Sequence, residues 1–198
     1  MSILRNDLEQ HLLAAAPAGI QFRTTTDSKS VTTGWCTLAD KEQLVTAAAM
    51  LKAMDARLMT ITIFQPKAPP APAVKEGETP PPPPTFFGGV VNDGKAFEVA
   101  YHFDVNGDAL TLTIHVPGGG DVESLTPLFR NADWPERELM EIYSIQVRNH
   151  PDPRRLFVDP RIDGAVLERL IPFSTMANAA STKGLWEKIM AQTAGSQS

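Results

Sequence analysis

The stretch Phe97–Val116, which reads FEVAYHFDVNGDALTLTIHV, decides the fold. Apolar and polar side chains alternate on both sides of Asn106-Gly107, and Asn-Gly is the favoured two-residue turn of a β-hairpin. When the two residues that flank this turn are paired, the large apolar side chains of both strands fall on one face. The pattern therefore predicts an antiparallel hairpin with one buried face. The same register places His115 opposite Glu98 on the other face, as a surface pair.

The segments around this hairpin predict helices and further strands. Apolar spacing indicates a short amphipathic helix over Ile3–Leu12 and a longer one over Leu38–Arg57, which begins with a capping box made by Asp40 and Gln43. The runs Leu58–Phe64 and Phe86–Val91 are typical of strands. The predicted fold class is α+β: a small, largely antiparallel sheet with helices on one face, followed by an extended C-terminal arm.

A proline-rich segment divides the chain. Nine of the 17 prolines lie between Pro66 and Pro84, and proline supplies no amide hydrogen to a helix or a sheet. We therefore predict a solvated linker or insertion over 66–85. The predicted organisation is a helix-helix-strand part over 1–65, this linker, the remaining strands over 86–130, and the third helix, arm and tail over 131–198.

The composition excludes several classes of protein. The 198 residues are 42% hydrophobic and 21% charged, which suffices for one globular core. The net charge of −5 argues against a general nucleic-acid binder, because such a protein needs a basic face. The single cysteine, Cys36, excludes an iron–sulfur cluster or a cysteine-rich zinc site held by this chain alone. Since no apolar signal segment and no run of about 20 apolar residues occurs, we expect a soluble, cytoplasmic chain without cofactor or metal.

The region from Asp133 to Arg155 carries the functional signal. Asp133-Trp134-Pro135-Glu136 has the residues of a helix start, with Asp as N-cap, Pro in the first turn and Glu closing a capping box. Arg137 and Glu141 are four residues apart and predict an ion pair on this helix. The segment His150–Arg155 contains two prolines and predicts an extended arm. Because such an arm has no core of its own, we expect it to lie on another subunit.

These residues resemble the signature of a known family. Glu136-Arg137-Glu138 followed by Glu141 matches a helix of the form E-R-E-x-x-[DE], and His150–Arg155 matches H-P-D-x-R-R after a short spacer. The pattern is similar to that of the thirty-kilodalton subunit family of respiratory complex I, which is also the family of the C subunit of NADH-quinone oxidoreductase. The predicted α+β part agrees with the fold of that family.

The resemblance implies a role that composition does not show. Members of the family are non-catalytic structural subunits in the peripheral, cytoplasmic arm of a membrane-bound oxidoreductase complex, and they brace its large subunit. The implied partners are that large subunit, with its quinone pocket or nickel–iron site, and an iron–sulfur subunit. The implied cofactors lie in those partners, and contact with the inner membrane is through other subunits only. The residues expected at the inter-subunit contact are Trp134, Glu136, Arg137, Glu138, Glu141, Tyr143, His150, Pro151, Asp152, Arg154 and Arg155.

The sequence also departs from the family pattern. The family usually has Gly where Ser144 and Asn149 stand. Asn149 is a mild change, because Asn tolerates the left-handed conformation better than most residues. Ser144 is the larger change and predicts a different helix exit. After Phe157 the family's D-Y-P-like ending is missing, and the chain continues to an Ile-Pro-Phe-Ser run at 171–174 and an amphipathic stretch around Trp186. This tail resembles the shorter relatives in energy-converting (Ech-type) nickel–iron hydrogenases. The tail favours that branch, with complex I as the alternative.

The sequence also has features that fit functions of other classes. The proline-rich segment contains P-x-x-P and is compatible with an interaction module that binds a partner's groove. Glu136 and Glu138 are paired carboxylates of the kind used in acid–base catalysis, but no nucleophile motif accompanies them, so no catalytic site is predicted. His150 is either a proton carrier or a structural hydrogen-bonding group that fixes the arm, and the structural role is preferred.

Overall fold

The computed structural model describes residues 7–70 and 82–159. Within these residues, three α-helices and seven strands occur. The helices are α1 (Leu8–Ala15), α2 (Leu44–Ala53) and α3 (Asp133–Ile142), and the strands are β1 (Ile20–Thr26), β2 (Thr32–Leu38), β3 (Arg57–Phe64), β4 (Phe97–Val105), β5 (Asp108–Val116), β6 (Asp121–Glu123) and β7 (Gln146–Arg148). The described residues belong to one compact unit that ends at Asp159. The predicted tail lies outside the described residues, as do the first residues of the helix expected over Ile3–Leu12.

The central hairpin has the predicted strands and register. Val105 pairs with Asp108, and the pairing continues without a shift to Phe97 and Val116. Asn106 and Gly107 both have positive φ, 53° and 93°, as a turn of this type requires. The inward side chains of β4 and β5 are buried, as the alternation in the sequence predicts.

The main sheet has the strand order β1-β2-β5-β4-β3. All neighbouring strands are antiparallel except β2 and β5, which are parallel. Apolar residues of α1 and α2 share one core with the inward face of the hairpin, including Leu12, Leu44 and Leu51 with Tyr101 and Phe103. The predicted α+β class with a largely antiparallel sheet is confirmed.

The first two strands were not predicted, and the second one shortens the expected helix over Leu38–Arg57. Leu38 is the last residue of β2, and a 3₁₀ turn at Lys41–Gln43 precedes α2. The Asp40 carboxylate caps this turn by accepting a hydrogen bond from the Glu42 amide at 2.9 Å. The side chain of Gln43 accepts instead from the Ala18 amide, so the expected capping box is wrong.

A bulge in β3 changes which of its side chains are buried. The register with β4 shifts between Leu58 and Thr60, so Leu58 is buried and Met59 is 52% exposed. The segment predicted as a strand over Phe86–Val91 is a turn, closed by a single bridge between Thr85 and Val91. Gly88 explains this, because it has a φ of 90° and a Cβ there would lie 2.0 Å from the Ala39 carbonyl oxygen.

The third helix and a small second sheet follow the main sheet. β6 and β7 pair in parallel, and the ring of Tyr143, just after α3, meets Phe97 edge-on at 5.8 Å. Ser144 and Asn149 both have positive φ, 53° and 57°, which is the conformation that glycine favours. The different helix exit expected from Ser144 is therefore wrong. In the part of the chain described, no helix is long and apolar enough to cross a membrane.

Candidate functional site at the third helix and the arm

The helix that carries the E-R-E motif begins differently from the prediction. A 3₁₀ turn over Arg130–Ala132 leads into α3, so Ala132 occupies the N-cap position and Asp133 is the first helical residue. No side chain caps the helix at Ala132. The predicted N-cap role of Asp133 is wrong, and the carboxylate of Glu136 bonds to a different segment instead of closing a capping box.

Glu136 is a buried acceptor inside this chain. Its carboxylate accepts hydrogen bonds from the Ser124 hydroxyl at 2.6 Å, the Leu125 amide at 2.5 Å and the Thr126 hydroxyl at 2.7 Å. The residue is 0% exposed. Because a buried carboxylate needs such donors to offset its lost hydration, this set fixes α3 to the segment that follows β6. Glu136 therefore has an internal role here and does not reach the surface.

His150 lies beside this carboxylate at the start of the arm. Its side chain is fully buried, and its Nε2 atom is 3.6 Å from a carboxylate oxygen of Glu136 and 3.6 Å from one of Asp133. Its Nδ1 atom accepts a hydrogen bond from the Asp152 amide at 3.0 Å. A neutral ring that accepts at Nδ1 carries its proton on Nε2, facing the two acids. The ring thus holds the first turn of the arm against α3.

The arm lies on α3 of the same chain. Arg137 donates from Nε to the Arg154 carbonyl oxygen at 2.9 Å and from Nη2 to the Arg155 carbonyl oxygen at 2.8 Å. Its guanidinium also lies 3.9 Å from Asp133 and 3.8 Å from Asp152. The predicted ion pair between Arg137 and Glu141 is therefore replaced by contacts to the arm, since the arm folds back over the helix.

Glu141 holds the next part of the arm. Its carboxylate accepts hydrogen bonds from three consecutive backbone amides, those of Leu156, Phe157 and Val158, at 2.6, 2.7 and 2.8 Å. Desolvation of this carboxylate raises its pKa, but the three amide bonds outweigh that effect and hold the pKa of Glu141 below its ordinary value. The two motif residues Arg137 and Glu141 together order a stretch that has no regular secondary structure.

The remaining predicted residues are divided between this support and the surface. Asp152 accepts from Nε and Nη2 of Arg154 at 2.7 and 2.6 Å, and this pairing lowers the pKa of Asp152. The Arg154 side chain is nevertheless 81% exposed, and Trp134 is 66% exposed. Pro151 and Arg155 are also exposed, whereas Glu138 and Tyr143 are half-buried.

Sequence reasoning missed one member of this surface. Phe157 follows the arginines of the arm and is 57% exposed, although it is a large apolar residue. Its exposure could be predicted from its position in the sequence. A lone aromatic residue beside charged groups in an extended segment has no core to pack into. Within residues 7–70 and 82–159, no group of three or more potential ligands could hold a metal ion. The structure thus combines an arm that is fixed on α3 with exposed side chains at Trp134, Arg154 and Phe157.

Comparison with known proteins gives one family. The family model described as "Respiratory-chain NADH dehydrogenase, 30 Kd subunit" matches residues 37–177, which is more than half of the chain. The matched range includes α3 and the whole H-P-D-P-R-R arm.

Individual relatives have names of the same kind. The chain is 35% identical over 80 residues to the C subunit of the NADH-quinone oxidoreductase of Caulobacter vibrioides, covering 39% of this chain and 41% of the relative. It is 33% identical over 82 residues to the protein of the same name from Mesorhizobium japonicum, covering 40% of this chain and 41% of the relative. The J subunit of the NAD(P)H-quinone oxidoreductase of Prochlorococcus marinus is 39% identical over 57 residues, covering 28% of this chain and 33% of the relative. The chain thus spans about two fifths or less of the length of these curated relatives.

Proposed function

Because the chain belongs to the family of the respiratory-chain NADH dehydrogenase 30 kDa subunit, we propose that it is a structural subunit of a membrane-associated NADH–quinone oxidoreductase. In this role it carries no catalytic site and braces the large subunit of the peripheral arm on the cytoplasmic face. The iron–sulfur clusters and the quinone pocket belong to the partner subunits.

The observation that carries the proposal is the arm fixed on α3. Two motif side chains, Arg137 and Glu141, form five hydrogen bonds with the backbone of the arm, which orders it before any partner binds. An ordered arm loses less conformational entropy on association than a disordered one. The groups left exposed are aromatic rings and guanidinium groups, which are residue types enriched where protein interfaces bind most strongly.

The choice between the two branches of the family rests on the relatives. Each relative named above is a subunit of a quinone-linked NADH or NAD(P)H oxidoreductase. The tail after Phe157, which favours the hydrogenase branch, lies outside the described residues except at its beginning. None of the relatives named above is a hydrogenase, so we propose the quinone-linked role.

A charge reversal on the arm tests the interface. We expect Arg154→Glu with Arg155→Glu to lower the amount of assembled complex at least tenfold, because like charges then meet across a desolvated contact. The melting temperature of the full chain should change little, since the Arg154 side chain is 81% exposed. The measurement is native electrophoresis of membranes with quantification of the assembled complex.

Two matched controls separate the interface from general charge effects. Arg154→Lys with Arg155→Lys keeps the charge and should retain most of the assembly. Lys29→Glu reverses an exposed charge in the β1–β2 turn and should have no effect. Normal assembly of the double Glu variant would show that the arm is not part of the contact.

A further inference from the structure

A second surface lies away from the arm, in a groove of about 530 Å³. Two segments that are distant in the sequence form it: the end of α2 with the turn and the start of β3 that follow it, and the segment that leads into α3. Its lining includes three cations and three apolar residues: Lys52, Arg57, Arg130, Ala56, Leu58 and Phe129. None of them belongs to the E-R-E helix or to the H-P-D-P-R-R arm.

The floor of the groove is apolar and is part of the main core. Ala56 and Leu58 are each 5% exposed and Phe129 is 8% exposed, and all three belong to the main core. The Asn131 side chain donates to the Leu58 carbonyl oxygen at 2.5 Å, which ties the two walls together. A groove braced in this way is formed before anything binds to it.

The rim carries more positive than negative charge. Lys52, Arg57 and Arg130 line it against one acid, Asp55. The Lys52 ammonium donates to the Leu128 carbonyl oxygen at 2.7 Å and lies 5.9 Å from the centre of the Phe129 ring. Both of those contacts are to neutral groups, so neither of them balances the charge of Lys52.

The other two cations differ in how far they are neutralised. Arg57 forms an ion pair with Asp104, yet its side chain is 81% exposed. For Arg130, neither an ion pair nor a side-chain hydrogen bond is found within the described ranges 7–70 and 82–159. This local excess of positive charge contrasts with the net charge of −5 of the whole chain.

Two cations elsewhere in the chain are arranged in the opposite way. Lys41 contacts Glu42 and Asp121, and Arg148 contacts three carboxylates. Lys41 and Arg148 hold β6 and β7 to the turn before α2, and the carboxylates that they contact neutralise their charge within the chain. The charges of Lys52 and Arg130 are not neutralised in this way, so a carboxylate from another polypeptide could pair with each of them.

We propose that this groove binds an acidic segment of a neighbouring polypeptide, in which an apolar side chain is flanked by Asp or Glu. The apolar side chain would lie on Leu58 and Phe129, and the carboxylates would pair with Lys52 and Arg130. The proposal rests on the proposed function only in that the neighbour is another subunit of the same complex.

The shape and number of charges favour a polypeptide over a lipid surface. Anionic membranes are bound by clusters of about 4–8 basic residues on a surface that faces the bilayer. Here three cations surround a concave floor, which fits side chains that enter the groove. Electrostatic complementarity at such a rim also fixes the register of an acidic segment and disfavours a basic one.

A zero-length carbodiimide cross-linker tests the proposal, because it joins a lysine amine only to a carboxylate in direct contact. The complex is purified through a tag on this full-length chain, cross-linked and analysed by peptide mass spectrometry. We expect an amide between Lys52 and an Asp or Glu of another subunit, in a segment that also has an apolar side chain. Arg130→Lys should add a second link to the same segment. Lys29, which is exposed elsewhere, is the control and should not link to it.

Charge reversal gives the second measurement. Lys52→Glu with Arg130→Glu should lower retention of the linked subunit at least tenfold at physiological salt, whereas Lys29→Glu should leave it unchanged. A Lys52 product confined to this chain, including residues 160–198, would overturn the proposal. So would an assembled complex without any Lys52 link, and this result would leave the proposed function intact.

Two further outcomes are decisive. If the full chain floats with vesicles that contain anionic lipid, and the double Glu variant does not, the groove is a membrane contact and the proposal is wrong. If no other subunit is recovered with the tagged chain at all, both the proposed function and this inference are overturned.

Discussion

At the scale of single residues, the most consequential side chain of the E-R-E motif is one that no partner can touch. Glu136 is fully buried and accepts from the Ser124 hydroxyl, the Leu125 amide and the Thr126 hydroxyl. Each of those donors is itself at least partly buried and would lose its partner if the carboxylate were removed. Glu136 thus stabilises the position of α3, and α3 supports the exposed part of the site.

We expect Glu136→Ala to lower the free energy of unfolding by about 3 kcal/mol or more, because it leaves buried donors unpaired and opens a cavity. Glu138→Ala is the matched control two residues away, where the side chain is half-buried, and it should change stability by less than about 0.5 kcal/mol. Denaturant unfolding followed by tryptophan fluorescence measures both. A loss for Glu136→Ala no larger than that of the control would contradict the internal role.

Ser144 makes a second prediction at this scale. It has a φ of 53°, which is strained for an L-residue with a side chain and favourable for glycine. Ser144→Gly should therefore be more stable than Ser144→Ala by about 1 kcal/mol, through relief of that strain. Ser144→Ala removes the same hydroxyl and keeps the Cβ, so the difference between the two variants isolates the backbone contribution. Equal stabilities of the two variants would show that the left-handed turn costs nothing here.

At the scale of elements, the arm and α3 act as one unit, because side chains of the helix satisfy the backbone of the arm. We expect Glu141→Ala to expose the amides of Leu156, Phe157 and Val158 to solvent. Hydrogen exchange followed by mass spectrometry should show faster exchange in that peptide, with no change in β4 and β5. Glu138→Ala again serves as the control. Unchanged protection at residues 156–158 would mean that other contacts hold the arm.

The outer face of the central hairpin gives a pH-dependent prediction. Burial lowers the pKa of His102 on β4 and of His115 on β5, and for His115 the nearby Glu98 only partly opposes this. Since the unfolded chain then binds more protons than the folded one below the ordinary histidine pKa of about 6.5, stability is full above that pH and falls as the pH decreases. The melting temperature should be lower at pH 5.5 than at pH 7.5.

His115→Phe is the matched variant for this effect, because the His115 ring already stacks on Phe86 with a centroid distance of 4.3 Å. An apolar ring at this position should keep the stack and reduce the pH dependence. If the melting temperature of this variant depends on pH as strongly as before, other titratable groups cause the effect.

The sequence predicts those elements whose determinants are local. The hairpin register follows from one Asn-Gly turn and an alternation that burial imposes, and both lie within 20 residues of chain. β1 is not predicted because most of its residues are exposed and polar, so no alternation marks it. Likewise, the burial of Glu136 depends on donors that reach it from 10 to 12 residues away through the tertiary fold. The sequence predicts the arginines of the arm as contact residues. It does not predict that side chains of α3 support the backbone of the arm.

At the scale of the whole molecule, the proline-rich segment separates the proposed function from the interaction-module alternative. Residues 71–81 lie outside the described residues, and Thr85 in the segment that follows them forms an isolated bridge with Val91. We expect replacement of 71–81 by a short Gly-Ser linker to leave assembly of the complex nearly unchanged, since the entropy of a loop depends only logarithmically on its length. Loss of partners in this variant, with a normal melting temperature, would favour the interaction module.

Under the proposed function, the ordered arm and the cationic groove are two separate contact surfaces for other subunits. Its described part is held by a single core that both helices α1 and α2 and the main sheet share. The arm and the groove draw on different segments of this unit, so each contact can be altered without the other.

The most direct test of the central claim is the composition and activity of the complex recovered through this chain. The tagged chain is expressed in its own organism, the membranes are solubilised, and the purified material is assayed for NADH–quinone reductase activity, ferredoxin-linked hydrogen production and nickel content. We predict a multi-subunit complex that reduces quinone with NADH and contains no stoichiometric nickel. A nickel-containing complex that produces hydrogen from reduced ferredoxin and does not reduce quinone, or a chain recovered alone, would contradict the account.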